Sequence, residues 1–458
     1  MSRLTLILVL GVYFTAFVTA QNGAKSPLTN DQIITKTDEY MKAVIRVDGF
    51  SGSILVARDA KPIVNRAYGM ANIELNVPNA PETIFRLGSV TKQFTSMSIM
   101  MLQERGKLSV TDPMCKYFAD CPDAWKPITI RNLLTHTSGI TNYTSFADFA
   151  KTTIMPITTT AMVDRLKKEP LEFTPGEKFA YSNSGYYLLG AIIEKASGKA
   201  YAEFLQENIF TPLGMKQTGY DDPLRIIPNR AAGYQIQAGK IINASYMDMT
   251  VPYAAGSLYS TTGDLLIWDK ALYTERLVSP KSLNEIFTPL KGDTGYAYGW
   301  GIGKRFDHRE ISHGGGIYGF ATQIARFPDD RVTVIVLSNI QGAQAEPIAN
   351  NLAAIVFGAA YEIPKERKII SLDPKVMEKY VGEYQIGTNI IVAITIESGK
   401  LLGQLGGQGK FSLAPESETE FYSKDVNAQI VFIRDATGKT TGFTLKQGGT
   451  NNPATKIK

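Results

Sequence analysis

The sequence predicts a large α/β (α+β) domain, a mixed sheet flanked by helices, followed by a small C-terminal antiparallel β-barrel-like domain. Three observations carry that expectation. Strand-like runs stand near both ends of residues 52–339 with helical patterns between them, which suggests one sheet assembled from both termini. Composition then shifts near Pro364-Lys-Glu-Arg-Lys368. Beyond it come short, turn-punctuated segments at 390–396, 401–405, 430–433 and 443–445, the pattern of a small antiparallel sheet or barrel. The 458 residues are 44% hydrophobic and 20% charged, enough for a large core, and exclude a disordered or disulfide-dense miniprotein. A net charge of +5 without basic runs gives no support to a nucleic-acid partner.

The first element is the stretch 1–20, in which Arg3 precedes an apolar run from Leu4 to Phe14 and small residues follow at Val18-Thr-Ala20. A positive start, an apolar middle and a small-residue cleavage point describe a secretory signal peptide. The run is shorter than the roughly 20 residues of a spanning helix. The mature chain is therefore expected to be exported, periplasmic or secreted, with no stable membrane insertion. Residues 21–366 then form the main domain and 367–458 the β domain.

Within the main domain, 33–47 has helical periodicity, and 52–57 and 63–69 read as a strand pair. A helix over 89–105 stops at Gly106, and its many methionines read as core packing. Helical patterns follow at 184–210, broken at Ala196-Ser-Gly198, and at 262–272. Strands are expected at 296–302, 319–327 and 331–339, and a helix at 345–357 closes the domain.

Cys115 and Cys121 are a disulfide candidate in an exported chain, two separate buried thiols being the alternative. The histidines, His136, His308 and His313, show no metal-ligand pairing, so neither a metal nor a cofactor is expected. His136 reads as a packed structural residue and His308 as an exposed turn residue. Asn142-Tyr-Thr144 fits a glycosylation sequon but is read as a plain loop.

Chemistry concentrates in three motifs. In Ser89-Val-Thr-Lys92, at a helix start, the two outer residues share a face, so the ammonium can reach the hydroxyl. A serine hydroxyl needs such a base or positive field to attack a carbonyl, and the helix N-terminus favours a developing alkoxide. The second motif, Tyr181-Ser-Asn183, is the sole Tyr-x-Asn of the chain. The third, His313-Gly-Gly315-Gly316, stands just before an expected strand, where glycines let a substrate backbone approach.

With these motifs in this order the chain resembles the serine β-lactamase and penicillin-binding protein family, in its class C-like, esterase and D-aminopeptidase branch. The resemblance spans about residues 31–357, with similar flanking stretches at 131–140, 211–215 and 256–264. The tail, with Tyr380-Val-Gly-Glu-Tyr384, looks like the lipocalin-like domain of some members. The resemblance implies that Ser89 is acylated, that Lys92 and Tyr181 share proton transfer, and that Asn183 holds the substrate or the lysine. It also implies that His313 and Gly315 border a strand edge, and that the amides of Ser89 and Gly316 form an oxyanion hole. A small-molecule or short-peptide substrate follows. A Tyr181 base requires roughly 4 kcal/mol of phenolate stabilisation to move from about pH 10 to about 7. Neutral Lys92 is the competing base; the two are read as a coupled pair with Tyr181 favoured.

One departure shapes the substrate expectation. Members that recognise a carboxylate often carry Lys-Thr-Gly where this chain has His313-Gly314-Gly315. A histidine is mostly neutral at pH 7, so esters, amides and amino-terminal D-peptides move ahead of the substrates of a class C-type β-lactamase or DD-carboxypeptidase. The same glycines match the oxyanion motif of α/β-hydrolase lipases. Those enzymes need Gly-x-Ser-x-Gly, which is absent here. The non-enzyme alternative is an acylatable sensor without turnover.

Overall fold

Six strands form the centre of the main domain in a computed structural model that describes residues 28–458 apart from 238–239, 291–293, 388–389, 407–409, 424–425, 427 and 448–449. They are β1 (Gly52–Arg58), β2 (Lys61–Tyr68), β3 (Gly301–Arg305), β4 (His308–Ile317), β5 (Phe320–Phe327) and β6 (Val332–Ser338). Their order is β3-β4-β5-β6-β1-β2. β1 and β6 pair from Gly52 opposite Ser338 to Arg58 opposite Val332, so both ends of the domain meet in one sheet. The expected leader, 1–20, lies outside the described residues, and no described helix is long and apolar enough to cross a membrane.

The sheet is antiparallel throughout rather than mixed in strand direction. Short hairpins make it so, since a parallel pair would need a long crossover. Asp59-Ala60 and Phe306-Asp307 each turn their hairpin with positive φ at both positions, matching the strands' twist. The hairpin at Phe306-Asp307 also moves His308 from an exposed turn to the start of β4. There its ring stacks on Phe357 at 3.8 Å and its Nδ1 meets Asp330 at 2.8 Å.

Alternating side chains build two layers. Ile54, Val56, Val334 and Val336 pack under α1 (Asn30–Asp48) and the closing helix Ala345–Phe357, through Ile33, Met41, Val44, Ile348 and Leu352. Leu55, Ala57, Ile335 and Leu337 face the larger helical layer. That layer holds α2 (Thr91–Glu104), α3 (Asn183–Ser197) and α4 (Thr262–Ala271). Every residue of α2 from Thr91 to Leu102 is buried, the methionines among them, and Phe94 lies 4.3 Å from Trp268.

Two expected elements differ. Residues 296–300 turn instead of extending, because Gly299, at φ +77°, crosses so close to α2 that a Cβ would lie 2.7 Å from the Lys92 carbonyl. The third motif sits inside β4, not ahead of a strand. Cys115 and Cys121 form a disulfide. After the main domain, eight antiparallel strands from Gly382–Ile386 to Thr450–Lys456 close a barrel around Tyr384, Leu401, Phe421, Phe432 and Phe443.

Candidate active site

The nucleophile turn and the third motif are pressed together. Gly88 has φ +54°, and a Cβ there would lie 2.9 Å from the Gly316 nitrogen. Only glycine lets the turn Gly88–Val90 approach β4 so closely, and that turn delivers Ser89 to the start of α2.

Lys92, one turn further, is completely buried. Its Nζ donates to Ser89 Oγ at 3.0 Å, Asn183 Oδ1 at 2.8 Å and the Ala255 carbonyl at 2.9 Å. All three acceptors are neutral. Burial with no carboxylate partner holds its pKa well below the usual lysine value. A neutral amine keeps N–H groups for Asn183 and Ala255 and turns its lone pair to the Ser89 hydroxyl.

Tyr181 stands over this pair, its ring centroid 4.9 Å from Lys92 Nζ. The outer edge of the residue is exposed (37%), while its hydroxyl end meets Ser89. Burial of that end raises the phenol pKa, and the Ser89 contact offsets only part of the rise. Phenolate is therefore disfavoured, opposite to what a tyrosine base requires.

His136 holds the second motif from below. Its Nδ1 accepts the Ser182 N–H at 3.1 Å, its carbonyl accepts the Ala180 N–H at 2.9 Å, and its ring lies 4.3 Å from that of Tyr181. Burial pushes its pKa well below 6.5, so the ring is neutral with its proton on Nε2. On the other side, Asn142 Oδ1 accepts the Asn183 N–H at 3.2 Å.

The third motif offers an open strand edge. β3 pairs with β4 only as far as Ser312, so among the described residues 313–317 have β5 alone beside them. Gly315 is fixed by packing, since a Cβ would lie 2.0 Å from the Leu87 carbonyl, whereas one on Gly316 would meet nothing within 4 Å. His313 donates from Nδ1 to the Gly314 carbonyl at 2.6 Å, which leaves Nε2 to accept the Tyr296 hydroxyl at 2.9 Å. Burial lowers its pKa to about 4. The imidazole is neutral at pH 7.

Ser89, Asn183 and Gly316 line a cavity of about 440 Å³, with Tyr143, Phe149 and Ile317 among its apolar walls and no charged side chain among the described residues that line it. The structure thus gathers Ser89, Lys92, Tyr181, Asn183, His313, Gly315 and Gly316, while Cys115 and Cys121 do not line the cavity. The Ala255 carbonyl, Asn142 and Tyr296 escape a sequence reading. A carbonyl has no residue signature, and Tyr296 reaches His313 only because the expected strand there is a turn.

The Beta-lactamase family model matches residues 38–357, and a Domain of unknown function (DUF3471) matches 366–456, the region that holds the barrel. The chain belongs to the Beta-lactamase family, among its penicillin-binding-protein-like serine hydrolases. It is 31% identical to a penicillin-binding protein of Bacillus subtilis (strain 168) over 438 residues, 89% of this chain and 95% of that one. It is 26% identical to the teichoic acid D-alanine hydrolase of Staphylococcus aureus (strain NCTC 8325 / PS 47) over 319 residues, 69% of this chain and 75% of that one. The octameric penicillin-binding protein homologue from Pyrococcus abyssi superposes with a TM-score of 0.66 at 26% identity, covering 92% of this chain and 99% of that one.

Proposed function

We propose that the protein is an exported serine hydrolase that cleaves ester or amide bonds of small molecules or short D-amino-acid peptides through an acyl-Ser89 intermediate, without a metal or cofactor. The observation that carries this reading is the buried Lys92 amine, 3.0 Å from Ser89 Oγ and bound only to neutral acceptors. Neutral Lys92 takes the Ser89 proton as Oγ attacks the carbonyl. The oxyanion forms against the amides of Ser89 and Gly316. Protonated Tyr181, beside Ser89, passes a proton to the leaving group and is restored from Lys92. Water then attacks the acyl carbon and gives up a proton to Lys92, the bond from the acyl carbon to Ser89 Oγ breaks, and Lys92 returns that proton to Oγ, which restores both the serine and the free amine. Asn183 holds the amine throughout. The base is thus Lys92 rather than Tyr181, because burial shifts both pKa values in that direction.

The neutral His313 and the uncharged cavity wall favour esters and D-amides over class C-type β-lactamase or DD-carboxypeptidase substrates. The similar teichoic acid D-alanine hydrolase supports D-alanyl substrates. The test is a turnover assay on mature protein and Ser89→Ala, with a short nitrophenyl ester, D-alanine anilide and a chromogenic cephalosporin. Repeated turnover of ester or D-anilide, lost in the variant, is expected. A single stoichiometric burst assigns an acylatable sensor instead, and fast cephalosporin hydrolysis assigns a β-lactamase.

A further inference from the structure

A second cavity, of about 210 Å³, shares the walls Tyr318 and Phe320 with the catalytic one. Arg86 and Arg230 line it, with Ser245 and Tyr246. Arg86 stands three residues before Ser89, on the short strand Phe85–Arg86, and its guanidinium carbon is 6.0 Å from the Phe320 ring centroid. Both guanidiniums turn to one carboxylate. Asp221 is fully buried and accepts from Arg86 Nε and from one Nη of Arg230, each at 2.6 Å. Among the described residues no second side-chain acceptor meets either arginine. The nearby acid Asp248 is engaged elsewhere, by the Thr250 amide and hydroxyl and, at 3.4 Å, by Tyr246.

Two cations thus share one anion, and both line a cavity wide enough for a tetrahedral or planar oxyanion. Paired guanidinium forks are suited to carboxylate and phosphate. We propose that this cavity is an anion subsite, which takes a carboxylate or phosphate carried by the substrate away from its scissile bond while the acyl carbon stands at Ser89. The proposal rests on the hydrolase reading and extends it. Charge that the third motif does not supply is supplied from the far side of Phe320.

The test has two arms. In the first, inorganic phosphate is titrated into Ser89→Ala protein and into the same protein carrying Arg230→Gln or Arg230→Lys, with ³¹P line broadening as readout and thermal melting as the check on folding. Binding is expected in the parent, weakened at least about tenfold by the Gln substitution, the usual scale of a lost charged hydrogen bond, and less by Lys. No binding, or equal binding by the Gln variant, overturns the subsite whether or not the protein turns over any ester. In the second arm, kcat/KM is compared for D-alanyl esters of glycerol and of glycerol phosphate, and for a D-alanyl peptide acid and its amide. Preference for the charged member of either pair, reduced toward equality by Arg230→Gln, supports the subsite and tells phosphate from carboxylate. Equal turnover within both pairs refutes it and leaves the hydrolase reading standing. Absence of any turnover strikes the hydrolase reading alone, and the phosphate titration then decides the subsite.

Discussion

Lys92 Nζ stands 3.0 Å from Ser89 Oγ inside a core that supplies it with neutral acceptors and no carboxylate. The sign of the pH dependence follows. A folded-state pKa held far below the usual value means that the free amine is already present well under pH 10. Activity should rise with pH through one ionisation as Lys92 loses its proton. No fall on the alkaline side should come from Tyr181, whose pKa is raised. Stability moves the same way, because the unfolded chain binds a proton that the folded one does not, so it increases with pH between the folded and unfolded lysine pKa values. A kcat/KM profile on a neutral ester checks this; a decline tied to phenol ionisation would restore Tyr181 as the base.

Lys92→Ala and Tyr181→Phe should each lower the rate on the order of 10²–10⁴, the usual range for acid–base groups. Their pH profiles should differ. Tyr181→Phe keeps the acid limb, since Lys92 still titrates, whereas Lys92→Ala removes it. The two variants measured side by side thus separate base from proton relay.

His136 acts on the reaction only through Tyr181, which it grips by ring contact and by the N–H groups on either side. It also sits at φ +57°, a conformation asparagine tolerates far better than alanine or phenylalanine. His136→Asn should preserve folding and an acceptor for Ser182, and cost about tenfold in kcat, the scale of one weakened hydrogen bond. KM should change less. His136→Phe should unfold at a lower temperature. A purely structural role would show as a stability loss with kcat intact in the Asn variant.

The site was far more legible than its surroundings. Ser89 and Lys92 sit three apart at a helix start, so spacing predicts a shared face, whereas the roles of Tyr181, Asn183 and the third motif came from the resemblance. β1 was legible as one strand of a pair, but its central place, with both faces covered, appears only in the structure. A turn near His308 was legible, but Phe306 carries no turn signature, so the place of the hairpin at Phe306-Asp307, and with it the start of β4 and the packed role of His308, appears only in the structure. Composition also cannot report strand direction, so the antiparallel order of the sheet appears only in the pairing registers.

Gly315 and Gly316 look equivalent in sequence and differ in space. Gly315→Ala places a methyl against the Leu87 carbonyl, two residues from the nucleophile. Overpacking of that kind costs ~1–3 kcal/mol and should also displace the Ser89 turn. Gly316→Ala meets open space and should melt like the parent while impeding substrates that lie along the β4 edge. Thermal melts paired with ester kinetics distinguish the two. Equal stability of both variants would contradict the close packing of β4 on the nucleophile turn.

His313→Lys tests whether the neutral third motif sets substrate choice. The native ring is pinned between the Gly314 carbonyl and the Tyr296 hydroxyl, and its pKa of about 4 keeps it uncharged above roughly pH 5. A lysine there loses the acceptor for Tyr296 but places an ammonium at the open edge of β4, so kcat/KM for a carboxylate-bearing substrate should rise relative to its neutral amide. In the parent, stability should fall as pH drops from 6.5 toward 4, because the unfolded histidine takes up a proton that the folded one resists. The Lys variant should lack that histidine contribution in the same window. Selectivity that does not change on substitution would mean that the third motif plays no part in reading substrate charge.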